Sequence, residues 1–405
     1  MITIPDNSLL QPRINSGVYT FPSDSTPIVK LDLLFEAGSA YQPQPLCATA
    51  ANRLCTVATT EMDAEKLAEF MDYRGIIIEP DTQVWQSGLS FYFLRRYAEE
   101  VLPVIGSMLR SPAFSEADFA VWCGEKREQM SAHEMESTHV ARRLFYHTLY
   151  GECHPLGRYA VPADVDRLDI NIISRYHQEH YSHGADAVVL AGNVDDELVA
   201  LVAEQLLRKK KGKRPKETKL HTLAPTLTPL PSVQTTLRIG RLLPLQWDDP
   251  DYARLMLLTT MLGGYFGSRL MSNLREDKGY TYGIYARTQL YRDSIVFYIT
   301  ADVAGGSAND AQGEIFRELE GLANISDVEL QHVKQVMVGD FLRSVDGIFE
   351  RSERFCNMLS AGITERLTDN LRQAVATATT SELQELALRL LQPADMTVCR
   401  AGKLG

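Results

Sequence analysis

Two imidazoles one helical turn apart, with a glutamate between them, can hold a metal ion and activate its bound water. The chain carries nine histidines and 52 acidic residues, yet the spacing misses at each place tried. His133-Glu-Met-Glu-Ser137 would be such a motif with histidine at its last position, and serine stands there. His177-Gln-Glu-His180, with His183 three residues on, could clasp a metal weakly. The same stretch, residues 175–183, reads as the polar end of a helix, and surface histidines are the expectation. Nucleophilic catalysis has less support. There is no Gly-x-Ser-x-Gly, and Cys153 beside His154 is a pair of chain neighbours, which seldom face each other. No phosphate-binding glycine loop of the Walker or Rossmann kind occurs.

The most specific local feature runs from Met261 to Tyr282. Gly263, Gly264 and Gly267 predict a tight turn where backbone can approach a partner closely. Ser268 is placed to cap the short helix that follows, and Gly279 to end it in the left-handed conformation. A strand then begins, and period-two alternation puts Tyr280, Tyr282 and Ile284 on one face. Arg275 near the helix end and Tyr282 on the strand are candidates to converge. The plainer alternative makes the glycines a helix-packing turn and Arg275 a surface charge.

The elements that must position these residues alternate between the two periodicities. Residues 29–35, 89–94, 280–286 and 294–300 read as strands, the last two as a hairpin around Tyr291-Arg-Asp. Residues 99–109, 116–130, 251–262 and 309–322 carry helical spacing, with Ser115 as an N-cap. Strands in hairpins mixed with long helices predict an α+β fold of largely antiparallel sheet. The chain also repeats itself. Val188-Val-Leu-Ala-Gly192 returns as Val398-Cys-Arg-Ala-Gly402, Phe114-Ser-Glu-Ala-Asp-Phe119 as Ile325-Ser-Asp-Val-Glu-Leu330, and Gly88–Leu94 as Ser294–Thr300. The offsets all fall at about 205–211 residues, which predicts a duplicated domain. Between the copies lies a basic run from Arg208 to Lys216 and a Pro/Thr-rich stretch, read together as a solvated linker over 208–235. The expected domains are 1–207 and 236–405.

Composition excludes several classes. At 405 residues, 45% hydrophobic and 23% charged, the chain is an ordinary globular protein of more than one domain. A net charge of −11 argues against nucleic acid as a partner. Six cysteines without any Cys-x-x-Cys exclude a disulfide scaffold and a zinc ribbon. No basic start followed by an apolar run opens the chain, and residues 220–237 are broken by prolines. A soluble, cytoplasmic protein that does not enter membrane is the expectation.

Several of these segments resemble one family. Gly263-Gly264, Ser268-Arg-Leu270 and Leu274-Arg-Glu276 followed by Gly279 and Tyr282 are similar to a segment of the pitrilysin/insulysin-type inverted zinc metallopeptidases, in the mitochondrial-processing-peptidase-like branch. Leu31-Asp-Leu-Leu-Phe-Glu-Ala-Gly-Ser39 resembles that family's first strand and turn, His154-Pro-Leu-Gly157 its His-Pro-x-Gly segment, and Val188–Val194 the strand closing its first domain. The resemblance implies two similar α+β domains in tandem, together half of a clamshell. It also implies His-x-x-Glu-His on a helix after the first strand, with both histidines on zinc and the glutamate as base. Counted from Ala37-Gly-Ser39, those positions hold Ala48, Ala51 and Asn52. Glu125 or Glu128 falls near the place of the family's third ligand, but one carboxylate cannot hold zinc. No metal site is expected in this chain.

The resemblance further implies that Arg275 and Tyr282 grip substrate across from zinc, the tyrosine hydroxyl donating to the scissile carbonyl. The chain then reads as the non-catalytic, substrate-binding subunit of a two-chain peptidase, with no activity alone. Zinc belongs to a homologous partner, the substrate is a peptide or unfolded polypeptide, and isolated chains could form a homodimer. Two alternatives remain at this point. One is an inactive homologue kept as a scaffold or peptide-binding protein; the other is a free-standing enzyme with its metal moved to His177 and His180.

Overall fold

The computed structural model describes residues 3–208 and 227–403. Most of the basic linker expected over 208–235 therefore lies outside the described residues. Its two described ends are structured: Arg208 is paired with Asp186 at 3.1 Å, and residues 227–229 form a strand.

Each half builds one sheet. The first contains β1 (Arg13–Asn15), β2 (Val18–Pro22), β3 (Ile28–Phe35), β4 (Ile77–Thr82), β5 (Ser87–Leu94) and β6 (Ala187–Gly192), in the order β1-β2-β6-β3-β5-β4. The second contains β7 (Leu227–Pro229), β8 (Gln234–Leu243), β9 (Thr281–Leu290), β10 (Ile295–Ala304) and β11 (Thr397–Gly402), in the order β7-β11-β8-β10-β9. Leaving out β1, the orders correspond strand for strand. Each has one parallel pair, β2 with β6 and β7 with β11, and antiparallel pairs elsewhere. The sequence repeat is thus a repeat of structure. Gly192 and Gly402 end β6 and β11 with φ of +96° and +130°, and a Cβ on either would lie 2.1–2.2 Å from the carbonyl oxygen of Ile28 or Gln234. Only glycine fits there.

Helices of the first half are α1 (Cys47–Leu54), α2 (Ala64–Arg74), α3 (Ala98–Arg110), α4 (Glu116–Met135), α5 (Ser137–Tyr150), α6 (Pro162–Val165), α7 (Ile170–His180) and α8 (Asp196–Leu206). Those of the second are α9 (Pro250–Gly263), α10 (Ala308–Gly321), α11 (Asp327–Arg343), α12 (Ile348–Ala361), α13 (Arg366–Thr377) and α14 (Thr380–Leu390). Ser115 and Ser326 cap the corresponding helices α4 and α11, each accepting from the backbone N–H three residues on. The two helices expected at 251–262 and 309–322 and the hairpin around residues 291–293 form as read. Among the described residues no helix is long and apolar enough to cross a membrane.

The packing does not respect the sequence boundary between halves. One face of the first sheet packs on α1, α3, α7 and α8, and one face of the second on α9, α10, α11, α13 and α14. The opposite faces exchange helices. From the first half, α5 lays Phe145, Leu149 and Tyr150 against Val296 and Cys399 of the second sheet. From the second, α12 lays Phe349, Phe355 and Leu359 against Phe21, Val189 and Ala191 of the first. Sheets covered on both faces need strands apolar on both sides, which is why Val188-Val-Leu-Ala-Gly192 does not alternate. Ile4 and Leu10, near the start of the chain, also sit in the second core.

Candidate functional site

The residues standing where the resemblance implies zinc ligands, Ala48, Ala51 and Asn52, are a closed piece of core. Helix α1 follows Leu46, at φ +69°, whose side chain has no acceptor to cap with, and the Gln42 side chain accepts the Ala48 N–H at 3.2 Å instead. Ala48 and Ala51 are fully buried, and Asn52 is nearly so. The Asn52 Nδ2 donates to the Asp81 carbonyl at 2.8 Å, the Gly88 carbonyl at 3.2 Å and Thr82 Oγ1 at 3.3 Å. That amide fastens α1 to the adjoining ends of β4 and β5. Two methyl groups and a side chain turned to donate offer a cation one amide oxygen, so these residues do not fit zinc. Glu125 and Glu128 stand exposed on α4.

In the second domain the glycine segment turns out to be a packing device joined to an outward-facing strand. Gly263 ends α9 against β9, where a Cβ would meet the Ala286 nitrogen at 2.5 Å. Gly264 and Gly267 lie in the turn that follows. Ser268 does not cap with its side chain, because its Oγ is buried and accepts nothing from the helix. Residues Met271–Asp277 are wound as a π-helix, with the Lys278 N–H reaching back to Asn273 at 3.0 Å, and Gly279 ends it at φ +64° as expected. Arg275 projects from this turn with its guanidinium 4.7 Å over the ring of Phe266.

Tyr282 corrects the expected strand register. Ile284 is fully buried whereas Tyr282 is 89% exposed, so the two occupy opposite faces. The cause is a β-bulge. Thr281 pairs with Val303 and Ile284 with Ala301, which leaves Tyr282 and Gly283 opposite Asp302 alone. Thr281 Oγ1 holds the bulge by donating to the Asp302 carbonyl at 2.7 Å.

A cavity of about 1510 Å³ opens between the two domains. Its wall includes residues 81–86, to which Asn52 is bonded through the Asp81 carbonyl, together with α5, the β9–β10 turn and α12. Arg275, Tyr282 and the three glycines are not in that wall. Sequence reasoning missed Arg238, which is: only 6% exposed, it holds its guanidinium 4.0 Å over Tyr298 and 5.4–5.5 Å from Tyr146 and Phe145. The signal was a lone charge inside the apolar run Thr236-Leu-Arg-Ile-Gly240. His154, in the His-Pro-Leu-Gly segment, is buried and bridges the domains. Its Nδ1 accepts the Leu156 N–H at 3.1 Å, leaving Nε2 to face Asp293 at 3.6 Å. That contact lowers the Asp293 pKa.

The histidines of α7 are not the surface set expected. His177 is buried between Phe114 and Tyr181, because it shares the core face of α7 with Ile173 and Tyr176. His180 instead meets the Glu36 carbonyl at 3.1 Å. The two rings serve different neighbours and do not form a metal pair.

Residues 167–337 match the family described as Peptidase M16 inactive domain. A solved structure described as a peptidase M16 inactive domain from Pseudomonas fluorescens has a TM-score of 0.82 at 22% identity, covering 96% of this chain and 97% of that one. Over residues 167–337 the chain is similar to that inactive domain, and it shares the fold of that structure. The α+β fold of two tandem domains implied by resemblance is therefore the fold found. Among similar proteins, an uncharacterized zinc protease of Mycobacterium tuberculosis is 28% identical over 280 residues, 65% of this chain and 63% of that protein. A Helicobacter pylori protein named non-peptidase homolog YmxG is 21% identical over 236 residues, 57% of this chain and 54% of that protein. The chain thus aligns with less than two thirds of the length of either relative.

Proposed function

We propose that this chain is the non-catalytic, substrate-binding subunit of a two-chain zinc peptidase. Its partner is a homologous chain carrying His-x-x-Glu-His and the zinc, and its substrate is a peptide. Tyr282 is the observation that carries the reading. A bulge turns this aromatic outward, outside the wall of the chain's own interdomain cavity, and Arg275 lies on the turn that leads into its strand. An exposed tyrosine hydroxyl is free to donate to a carbonyl whose oxygen gains charge as water attacks, while Arg275 holds a neighbouring backbone carbonyl. Neither group needs a metal of its own. The sealed methyls of Ala48 and Ala51 support the same division of labour, since the chain keeps donors for an oxyanion and lacks ligands for zinc.

The Helicobacter relative's name favours a second reading, an inactive homologue kept as a scaffold. One experiment separates the two. The chain is co-expressed with a homologue bearing an intact zinc motif, and peptide hydrolysis is measured for the complex with Tyr282→Phe. Loss of one preorganised oxyanion donor lowers kcat on the order of 10²-fold or more. Because Tyr282 is 89% exposed, the variant folds as wild type, and co-purification of the two chains reports assembly. Full activity of the partner alone, or an unchanged kcat in the variant complex, removes the shared site and leaves the scaffold.

A further inference from the structure

The helix break between α4 and α5 gathers side chains that the shared-site reading does not use. Glu136 is extended there, with φ −91° and ψ 116°, and belongs to neither helix. His133 precedes it by three residues and His139 follows it by three. In an unbroken helix two residues six apart are displaced by about 9 Å along the axis and point to different sides. The break cancels that separation. The His133 and His139 rings lie with centroids 3.8 Å apart and planes 9° from parallel, and Glu136 Oε2 is 3.3 Å from His139 Nε2.

We propose that His133, Glu136 and His139 form a binding site for a divalent transition-metal ion of the zinc class, at the rim of the interdomain cavity. Two imidazoles and one carboxylate are a donor set that such ions take, with a fourth position left open. One donor atom from each residue lies within 4.8 Å of the others, and among the described residues this is the only group of three His, Cys, Asp or Glu side chains to do so. Two ligands on a tetrahedral zinc with bonds of about 2.05 Å stand about 3.3 Å apart. The His139–Glu136 pair is already at that separation. Nitrogen lone pairs lie in the ring plane, so the stacked rings must splay about their side-chain torsions to aim at one ion. Core packing does not oppose this, since His133 is half-buried and Glu136 and His139 are exposed. Both histidines line the cavity. The site is distinct from the altered motif on α1, and it does not depend on a partner chain.

The test uses the whole chain, stripped with a chelator and titrated with ZnCl₂ by calorimetry, with Co²⁺ absorption as a second probe. The expected result is one ion per chain. His133→Ala and His139→Ala each weaken binding by at least the roughly 10–100-fold that loss of even an outer partner costs a metal site. His183→Ala, at an exposed position beyond α7, leaves it unchanged. Zinc raises the melting temperature of the wild type and not of the His133→Ala/His139→Ala double variant, which also reports that the variant is folded. Absence of stoichiometric binding by wild type, or equal affinity in the double variant, overturns the proposal.

Discussion

At the scale of single residues, polar side chains here do structural work in places where chemistry was the first thing to look for. Asn52, where the resemblance implies a zinc ligand, spends its amide hydrogens on two carbonyls and a hydroxyl. His177 is a core residue whose imidazole burial pushes down to a pKa of about 4, against a smaller opposing effect of a backbone bond to Met108. Its sign in a pH titration follows. The ordinary value in an unfolded chain is near 6.5, so between about pH 6.5 and 4 the unfolded state binds the extra proton. The stabilisation from keeping His177 neutral is complete above that window, declines as pH falls through it, and is gone below it. Over the whole interval the difference is about 3 kcal/mol. Urea unfolding of wild type and His177→Phe at pH 7 and pH 4.5 checks this, because phenylalanine suits the site beside Phe114 and Tyr181 and does not titrate. The wild type loses more stability than the variant over that range; parallel losses would contradict the assignment. That His177 points inward was partly legible from its place four residues from both Ile173 and Tyr181. Polar neighbours in the sequence masked it, since a helix's solvated and buried faces interleave along the chain.

At the scale of elements, local periodicity gave the strands and helices, and the errors came from single-residue irregularities that periodicity cannot register. The bulge at Tyr282 and Gly283 depends on which residues of β10 lie opposite, a fact held in the pairing and absent from the β9 sequence. The strand at 227–229 is three residues of a Pro/Thr-rich stretch, and only its parallel partner β11 gives it a ladder to join. The glycines were legible as turn residues, but their reasons differ. Gly263 lets α9 approach β9, and the methyl of Gly263→Ala would meet the backbone nitrogen of Ala286 at 2.5 Å. Backbone cannot swing away as a side-chain end can, so the helix must lift from the sheet, at a cost of about 1–3 kcal/mol. Gly339, in the middle of α11, has nothing within 4 Å of the same position. There the substitution removes conformational freedom from the unfolded chain and improves helix propensity, so Gly339→Ala stabilises by about 0.4–1 kcal/mol. Thermal melts of the two variants are expected to move in opposite directions. A Gly263→Ala protein as stable as wild type would mean that α9 is not seated on β9 as described.

At the scale of the whole molecule, the duplication was readable from the repeat, but the exchange of α5 and α12 was not, because each helix is amphipathic in a way that either sheet would satisfy. The exchange changes what the two domains can do separately. Without α12, the first sheet exposes Phe21, Val189 and Ala191, and the buried Lys30–Asp32 pair, 3.4 Å apart, loses the cover of Cys356. Without α5, the second sheet exposes Val296 and Cys399. Neither domain can therefore unfold without stripping apolar surface from the other, and the chain is expected to melt in one transition despite its two cores. Phe145 and Phe355 are the side chains through which to test the coupling. Phe145 is fully buried beneath Arg238 and Tyr146, and Phe355 packs its ring 5.0 Å from Tyr19 and 5.6 Å from Phe21. Truncation of a well-buried phenylalanine costs about 3–5 kcal/mol, and the half-buried Phe355 belongs at the lower end. Because each ring lies between domains, that cost falls on the coupling before it falls on either core. Calorimetry of Phe145→Ala/Phe355→Ala is expected to resolve two endotherms where the wild type gives one. Two endotherms already present in the wild type would mean that the exchanged helices do not bind the domains into one unit. A single, merely lowered endotherm in the double variant would place the coupling elsewhere, with the His154–Asp293 bridge the next contact to remove.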